Sequence, residues 1–486
     1  MVALLTSPRV IVYILLTLSL ALHLCWLAQP NEVVFDEVHN WKYVSGYLTG
    51  NYFFANHPPL GRLMIAGMAR LTGFELTYSF RKIGQQYPNS QYIWLRLLPA
   101  LLGSLLVPVV YLLALRLSHS SYTAAIAGLF VLLENALLVQ SKFVLLDSFL
   151  LFFGFLSLYL FLQSRQFFTH GQWGGWAALG AAIAVGLCLA TKWAGIGFWG
   201  LLLVCGCYSV VSKIWRGEQE PLCALLSYAV LMAVPLVLYV AVFFVHFALL
   251  PNPGTGNRFM TPQFLASQAA GYPLRDFPAN LWELNRKMYV SHTRTTSKHP
   301  YGSRWYLWPL MWKPVYYWNK HIPAARGEMV SRRIYLLGNP IVWWTSTGFT
   351  AVFLLGLLLR LVMQASCRLF HQQRKQAIAS EAKRIRSADA LLAAGYLVNL
   401  LPVAGIGRVT FLYHYLASLI FSILIASVML GYIHHGRKAL LTALIVLTLA
   451  GFLAVSPLTF GTRLNDWPLW GSKEEGLLSL LLYREL

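Results

Sequence analysis

Two neighbouring carboxylates and a histidine, in the segment Phe35-Asp36-Glu37-Val38-His39, stand just after the first apolar run of this 486-residue chain. Consecutive side chains do not point the same way. A catalytic pair here would therefore divide its labour, one carboxylate taking a proton from an attacking hydroxyl and the other orienting it or the acceptor backbone. A positioned general base is worth roughly 10²- to 10⁴-fold in rate. A solvated acidic pair closing a loop would read the same way, but only 17 residues of the whole chain are acidic, which makes an adjacent pair less casual. About twenty residues on comes Asn56-His57-Pro58-Pro59-Leu60-Gly61-Arg62. Its prolines fix φ and push the preceding residue out of helix. They present His57 rigidly, either to hydrogen-bond a sugar hydroxyl or phosphate, or merely as part of a turn at a membrane surface.

The elements that must hold these residues are apolar. Hydrophobic residues make up 57% of the chain and charged ones 11%, with repeated runs longer than a globular core needs, which places it among polytopic membrane proteins. In lipid the backbone must satisfy its own hydrogen bonds, and runs without alternation exclude a barrel. The fold class is an all-α membrane bundle of about eleven transmembrane helices, near 10–28, 95–115, 122–138, 148–164, 173–190, 194–212, 223–247, 341–362, 387–401, 411–432 and 439–456. We read residues 1–456 as one transmembrane domain and 457–486 as an outer-side tail. The run from Val10 to about Leu27 lacks a small-x-small cleavage site and reads as a retained first helix.

With eleven crossings, the connections on the amino-terminal side carry Arg9, Arg116, Arg165, Lys213 with Arg216, the run Arg368 to Arg386, and Arg437 with Lys438. All are basic, so the amino terminus is expected to be cytoplasmic. Two long segments, 29–94 and 248–340, then lie outside and hold most of the polar chemistry. They also carry cations that the topology rule does not explain, among them Arg62, Arg258, Arg275, Arg286, Lys298 and Arg304, with Arg96 at the start of the next span. An anionic ligand explains them, as does snorkelling to lipid headgroups. The formal net charge of +21 accordingly points to anionic lipid and phosphate, and the absence of an RNA-binding signature argues against nucleic acid. Six dispersed cysteines without a CxxC pair read as small core residues.

Phe35-Asp36-Glu37-Val38-His39 followed by His57-Pro58-Pro59-Leu60-Gly61 resembles the first outer loop of the protein O-mannosyltransferase family. Further stretches agree in order: Glu134-Asn135 with Gln140-Ser141-Lys142-Phe143 to Leu146-Asp147-Ser148, then Thr191-Lys192-Trp193-Ala194-Gly195. His299-Pro300-Tyr301 through Arg304-Trp305 to Trp308-Pro309-Leu310 follows, then Pro314-Val315-Tyr316-Tyr317-Trp318. Tyr335 to Pro340, and Arg408 with Phe411-Leu412-Tyr413-His414-Tyr415, complete a likeness running from about residue 30 to 435.

The resemblance implies a class C glycosyltransferase that moves mannose, with inversion, from a dolichyl or polyprenyl phosphate to serine or threonine of an exported protein. It implies Asp36 as base with Glu37 as second candidate, and Arg96, Lys142 and Lys192 as cations for the phosphate, with His57, Arg408 and His414 beside them. His39, His299, Tyr301 and Arg304 fall on the acceptor side. A lipid phosphate is a good leaving group, so one base and several cations suffice, unlike the two-carboxylate glycosidase scheme. Eukaryotic members carry a MIR β-trefoil domain in the long outer loop, and about ninety residues from 248 to 340 do not hold one. The resemblance is thus to the bacterial type, at a plasma membrane, with the site facing outward. Asn40-Trp41 stands where many relatives have Phe-Gly, so the acceptor groove is expected to differ.

The nearest rival is a related enzyme moving another sugar, such as an amino sugar onto lipid A. A transporter is a more distant one, since neither paired repeats nor midplane polar residues are evident. No cofactor or metal is expected, although Asp36, Glu37 and His57 leave an oxygen-rich divalent site open. A dimer is compatible with the sequence.

Overall fold

A computed structural model describes residues 7–76, 79–169, 175–215, 217, 221–294, 299–323, 329–370, 387–433 and 435–464. Most of the basic run ending at Arg386, together with Arg216, Lys298 and the tail from 465, lies outside the described residues.

Each of the eleven expected spans coincides with helix. These are α1 (Pro8–Leu24), α4 (Tyr92–Ser118), the pair α5 (Ser121–Leu132) and α6 (Asn135–Lys142), α7 (Asp147–Thr169), α8 (Gly175–Thr191), α9 (Gly195–Trp215), α10 (Pro221–Ala248), α13 (Pro340–Phe370), α14 (Ser387–Leu400), α15 (Leu416–Gly431) and α16 (Arg437–Phe460). Among the described residues eight spans are long and apolar enough to cross a membrane outright, α5 with α6 forms a ninth bent by 53°, and α1 and α8 are shorter apolar helices of 17 residues each. In the segment 29–94 lie α2 (Glu37–Thr49) and α3 (Leu60–Leu71), and in 248–340 α11 (Pro262–Ala269) and α12 (Phe277–Arg294).

Burial grades the spans. α4 and α15 are mostly buried, while α13 is mostly exposed and turns Val352, Leu355, Leu359 and Val362 outward. A helix apolar on every side but exposed on most of them suits a lipid surface. α4 packs against α1, α5, α6 and α7, and Gly103 lets the α6 backbone come in close, since a Cβ there would lie 2.4 Å from that of Ser141.

The bend between α5 and α6 is built from polar groups. Glu134 adopts an extended backbone and its Oε1 accepts from Ala136 N–H at 3.1 Å, capping α6, and from Asn339 N–H at 2.9 Å. The Asn339 amide donates to Leu133 O and Thr448 O, both at 2.9 Å, and Asn135 donates to Thr459 Oγ1 at 2.8 Å. Glu134-Asn135 and the stretch ending at Pro340 therefore join three helices, which accounts for two of the quoted motifs without chemistry.

The segment 248–340 is not purely helical. Strands β1 (Val315–Pro323) and β2 (Met329–Leu336) form an antiparallel hairpin with an irregularity between Tyr316 and Trp318. Glu32 anchors it to the first outer segment by accepting from Trp318 Nε1 at 2.8 Å and pairing with Lys320. The cysteines also depart from expectation, since Cys188 is buried but Cys25 and Cys207 are exposed on the apolar surface.

Candidate active site

Phe35 has φ +46°, a left-handed conformation uncommon for a residue with a bulky side chain. Three contacts hold it. Its ring stacks on Tyr317 with centroids 4.1 Å apart, its N–H donates to Tyr317 O at 3.1 Å, and Val34 and Glu37 bond reciprocally across it. Val34 N–H donates to Glu37 Oε2 at 2.9 Å, and Glu37 N–H donates to Val34 O at 3.0 Å. This turn sends the two carboxylates in opposite directions.

Glu37 goes inward. It meets Arg96 bidentately, Nε to Oε1 and Nη2 to Oε2 each at 2.8 Å, with both side chains essentially without exposure. Tyr87 OH donates to it at 2.9 Å and Val144 N–H at 3.2 Å. Arg96 spends its other donors on Pro30 O and Glu32 O, at 2.8 and 2.9 Å. The pair is fully satisfied.

Asp36 goes outward, into a cavity of about 170 Å³ lined also by His39, Asn40, Asn56, His57, Arg62, Gln140, Asp147, Lys192, Arg408, Tyr413 and His414. Among the described residues its carboxylate has no hydrogen-bond partner. Burial holds it above the usual carboxylate range and Asp147 pushes the same way, while His39, Lys192 and Arg62 pull it down. An unbonded, partly desolvated carboxylate is a stronger proton acceptor than a solvated one.

The cations facing it are individually placed. Lys192 Nζ bonds Asp147 Oδ1 at 2.7 Å, Gln140 Nε2 donates to Asp147 Oδ2 at 2.6 Å, and Tyr317 OH donates to Gln140 Oε1. Arg62, in the first turn of α3, donates to His57 O at 3.0 Å and lies over the Tyr43 ring. Arg408 Nη1 contacts His292 Nδ1 at 2.8 Å. Arginine only donates, so that nitrogen accepts, and the opposite one, Nε2, carries the proton to Asn56 O at 2.7 Å. The His57 Nδ1 is buried without a partner. Burial first, then Lys192, Arg62, His292 and Arg408, push its imidazolium form well down, leaving a neutral ring at the cavity wall. His414 stacks between Tyr413 and Trp308, its Nδ1 against the Phe411 backbone.

Of the residues expected at the site, Asp36, His39, His57, Lys192, Arg408 and His414 converge on this cavity, and Glu37, Arg96 and Lys142 stay outside it. Arg96 is consumed by Glu37. The Lys142 Nζ is buried without a partner, 4.5 Å from the Phe460 ring centroid. The oxygen-rich group of Asp36, Glu37 and His57 is not assembled, because Glu37 is committed elsewhere. Among the described residues no cluster of three or more histidine, cysteine or acidic side chains is set to hold a metal. His299 and Arg304 line a neighbouring cleft that shares Arg408. The Tyr301 ring stacks on Tyr316, with centroids 5.8 Å apart. The sequence assigns no site role to His292 or to Asp147, which holds Lys192 here. A histidine one turn from the end of an amphipathic helix carries no local signal, and only the fold brings it to Arg408.

Residues 13–251 match the family model described as dolichyl-phosphate-mannose-protein mannosyltransferase, and residues 277–473 that of the C-terminal four-helix membrane region of protein-O-mannosyltransferase. The chain belongs to the protein O-mannosyltransferase family. As a member it is 33% identical over 332 residues to protein O-mannosyltransferase 1 of Drosophila melanogaster, covering 65% of this chain and 36% of that relative. It is 30% identical over 263 residues to dolichyl-phosphate-mannose–protein mannosyltransferase 1 of Saccharomyces cerevisiae, covering 53% and 32%. The chain thus spans about a third of the length of these curated relatives. Among solved structures, the S. cerevisiae protein O-mannosyltransferase Pmt1-Pmt2 complex bound to the sugar donor superposes with a TM-score of 0.82 at 18% identity, covering 97% of this chain and 94% of that one. ArnT from Cupriavidus metallidurans bound to undecaprenyl phosphate gives 0.52 at 14% identity, covering 92% and 65%. These likenesses establish that this protein O-mannosyltransferase family member has the class C glycosyltransferase fold.

Proposed function

We propose that the chain transfers mannose from a polyprenyl phosphate carrier to serine or threonine hydroxyls of exported proteins, with inversion. The observation that carries this reading is the unbonded Asp36 carboxylate facing Lys192, Arg62 and Arg408 across one cavity. The acceptor oxygen attacks the anomeric carbon while its proton passes to Asp36. The bond from that carbon to the phosphate oxygen breaks with its electron pair going to the phosphate, and the cations meet the charge that develops there. Attack opposite the leaving group inverts the centre. Asp147 holds Lys192 in place, and Glu37 with Arg96 holds the turn that aims Asp36.

The family's dolichyl-phosphate-mannose substrate supports both a lipid phosphate donor and the mannose assignment, and the undecaprenyl phosphate bound to ArnT is consistent with such a donor. The basic connections favour a cytoplasmic amino terminus and therefore a site on the outer face, and the resemblance to the type without a MIR domain in 248–340 favours a bacterial plasma membrane. The solved yeast neighbour is a Pmt1-Pmt2 complex, which supports working as a dimer. The test is transfer by purified protein in detergent from radiolabelled polyprenyl phosphate mannose to serine/threonine peptides, beside Asp36→Asn. Label on peptide that disappears in the variant supports the reading. Consumption of another polyprenyl phosphate sugar, with none of the mannose donor, would remove the mannose claim and leave the reaction class.

A further inference from the structure

A second cleft, of about 600 Å³ and open to the surface, adjoins the catalytic cavity, and Arg408 lines both. Its walls are His299, Pro300, residues 302–304 and residues 408–410, with Lys313. The walls are tied together. Ser303 N–H donates to Thr410 O and Thr410 Oγ1 donates to Ser303 O, both at 2.9 Å. Gly302 permits the close approach, since a Cβ there would stand 2.8 Å from Val409 Cγ1. Lys313 is held at φ +59°, two residues after Met311 at +58°. That conformation is costly for side-chain-bearing residues and persists where the surroundings impose it.

The charged residues of the cleft are all of one sign. Arg304, Lys313 and Arg408 line it with His299, and no aspartate or glutamate does. Among the described residues none of these cations is paired with a carboxylate. Arg304 reaches only Tyr306 OH, at 3.2 Å, and Arg408 only His292 and its neighbour's carbonyl. Converging cations without counter-charges attract an anionic partner and fix its register. None of the lining residues lies on a membrane-crossing helix, so a lipid tail has no apolar wall to follow there, whereas a water-soluble extended chain has an open trough leading to Arg408.

We infer that this cleft holds the acceptor polypeptide and selects segments carrying aspartate or glutamate close to the serine or threonine that is modified. The inference rests on the acceptor reading of the proposed function and narrows its substrate class. The experiment uses the full-length protein in detergent and one peptide series of fixed length, with aspartate, glutamine or lysine flanking a single threonine. The expected result is a kcat/KM about tenfold higher for the aspartate peptide than for the glutamine peptide, lower still for lysine, with the spread shrinking as salt rises. Arg304→Glu and Lys313→Glu, each made separately, are expected to turn the preference toward the lysine peptide. Equal kcat/KM across the wild-type series overturns the inference and leaves the transferase reading standing. A preference that both charge reversals leave unchanged overturns its assignment to this cleft. Transfer to no peptide at all overturns both readings.

Discussion

Glu37 and Arg96 share two parallel 2.8 Å hydrogen bonds in complete burial, while Asp36, one residue away, presents an unbonded carboxylate to a cavity of cations. The ion pair is what makes that contrast stable. It ties the segment 29–94 to the start of α4, and the bonds between Val34 and Glu37 close the turn in which Phe35 stands at φ +46°.

The two carboxylates should therefore fail in different ways. Asp36→Asn is expected to lower transfer by roughly 10²- to 10⁴-fold with little change in thermal stability. Glu37→Gln leaves the Arg96 charge buried against a neutral amide, and breaking such a pair costs about 3–5 kcal/mol. Thermal unfolding followed by size exclusion in detergent, run beside the transfer assay, separates the outcomes. A folded, active Glu37→Gln would show that the pair does not hold the turn.

Asp36 must be ionised to accept a proton, and its burial places its titration above the ordinary aspartate value of about 3.9. The ionised fraction falls as pH drops through that raised value, so the acid limb of kcat/KM should lie above the usual carboxylate range. Asp147 raises Asp36 by like-charge repulsion, so Asp147→Asn should move the limb to lower pH, even as the loosened Lys192 reduces the maximum. The measurement is the pH profile of both proteins at saturating donor. A limb that stays put rules out Asp36 as the titrating group.

How much of this was legible depended on locality. The spans were readable because lipid allows few solutions for an apolar backbone, and even the bent α5–α6 pair kept its place. That Asp36 and Glu37 point apart followed from adjacency alone, although which one faced the cavity did not. The motif containing Lys142 is similar to the family's, yet likeness does not say which way a side chain points at the end of a broken helix. His292 and Arg408 are 116 residues apart, and no periodicity or composition links them. The hairpin went unread because Val315 to Trp318 resembles a family motif and also suits a strand, and only its pairing with Met329–Leu336 decides between the two.

Lys142 provides a test of placement against likeness. Its amine is fully buried with no hydrogen-bond acceptor and lies outside the cavity. Burying a polar group without a partner costs about 1–3 kcal/mol on protein scales. Lys142→Met keeps the length and the contact with Phe460, so it should be neutral or stabilising by about that amount, with transfer retained. Loss of transfer at wild-type stability would return Lys142 to the phosphate site.

His292 is argued to act through Arg408, and a substitution pair can show it. The imidazole accepts from the guanidinium at Nδ1 and donates to Asn56 O at Nε2, and Ser291 Oγ donates to Asn56 Oδ1 at 3.0 Å. The end of α12 thereby grips the loop carrying His57 and aims Arg408 into the cavity. His292→Ala removes a hydrogen bond to a charged group, worth about 1.5–3 kcal/mol, and should lower kcat/KM about ten- to a hundredfold. Glutamine also accepts through an oxygen and donates through an NH₂ at similar reach, so His292→Gln should recover most of the loss. Recovery by glutamine but not alanine identifies a positioning role through hydrogen bonding. Equal loss in both variants would place the role in the ring's packing against Trp193 and His57, and unchanged transfer in both would show that Arg408 is held without it.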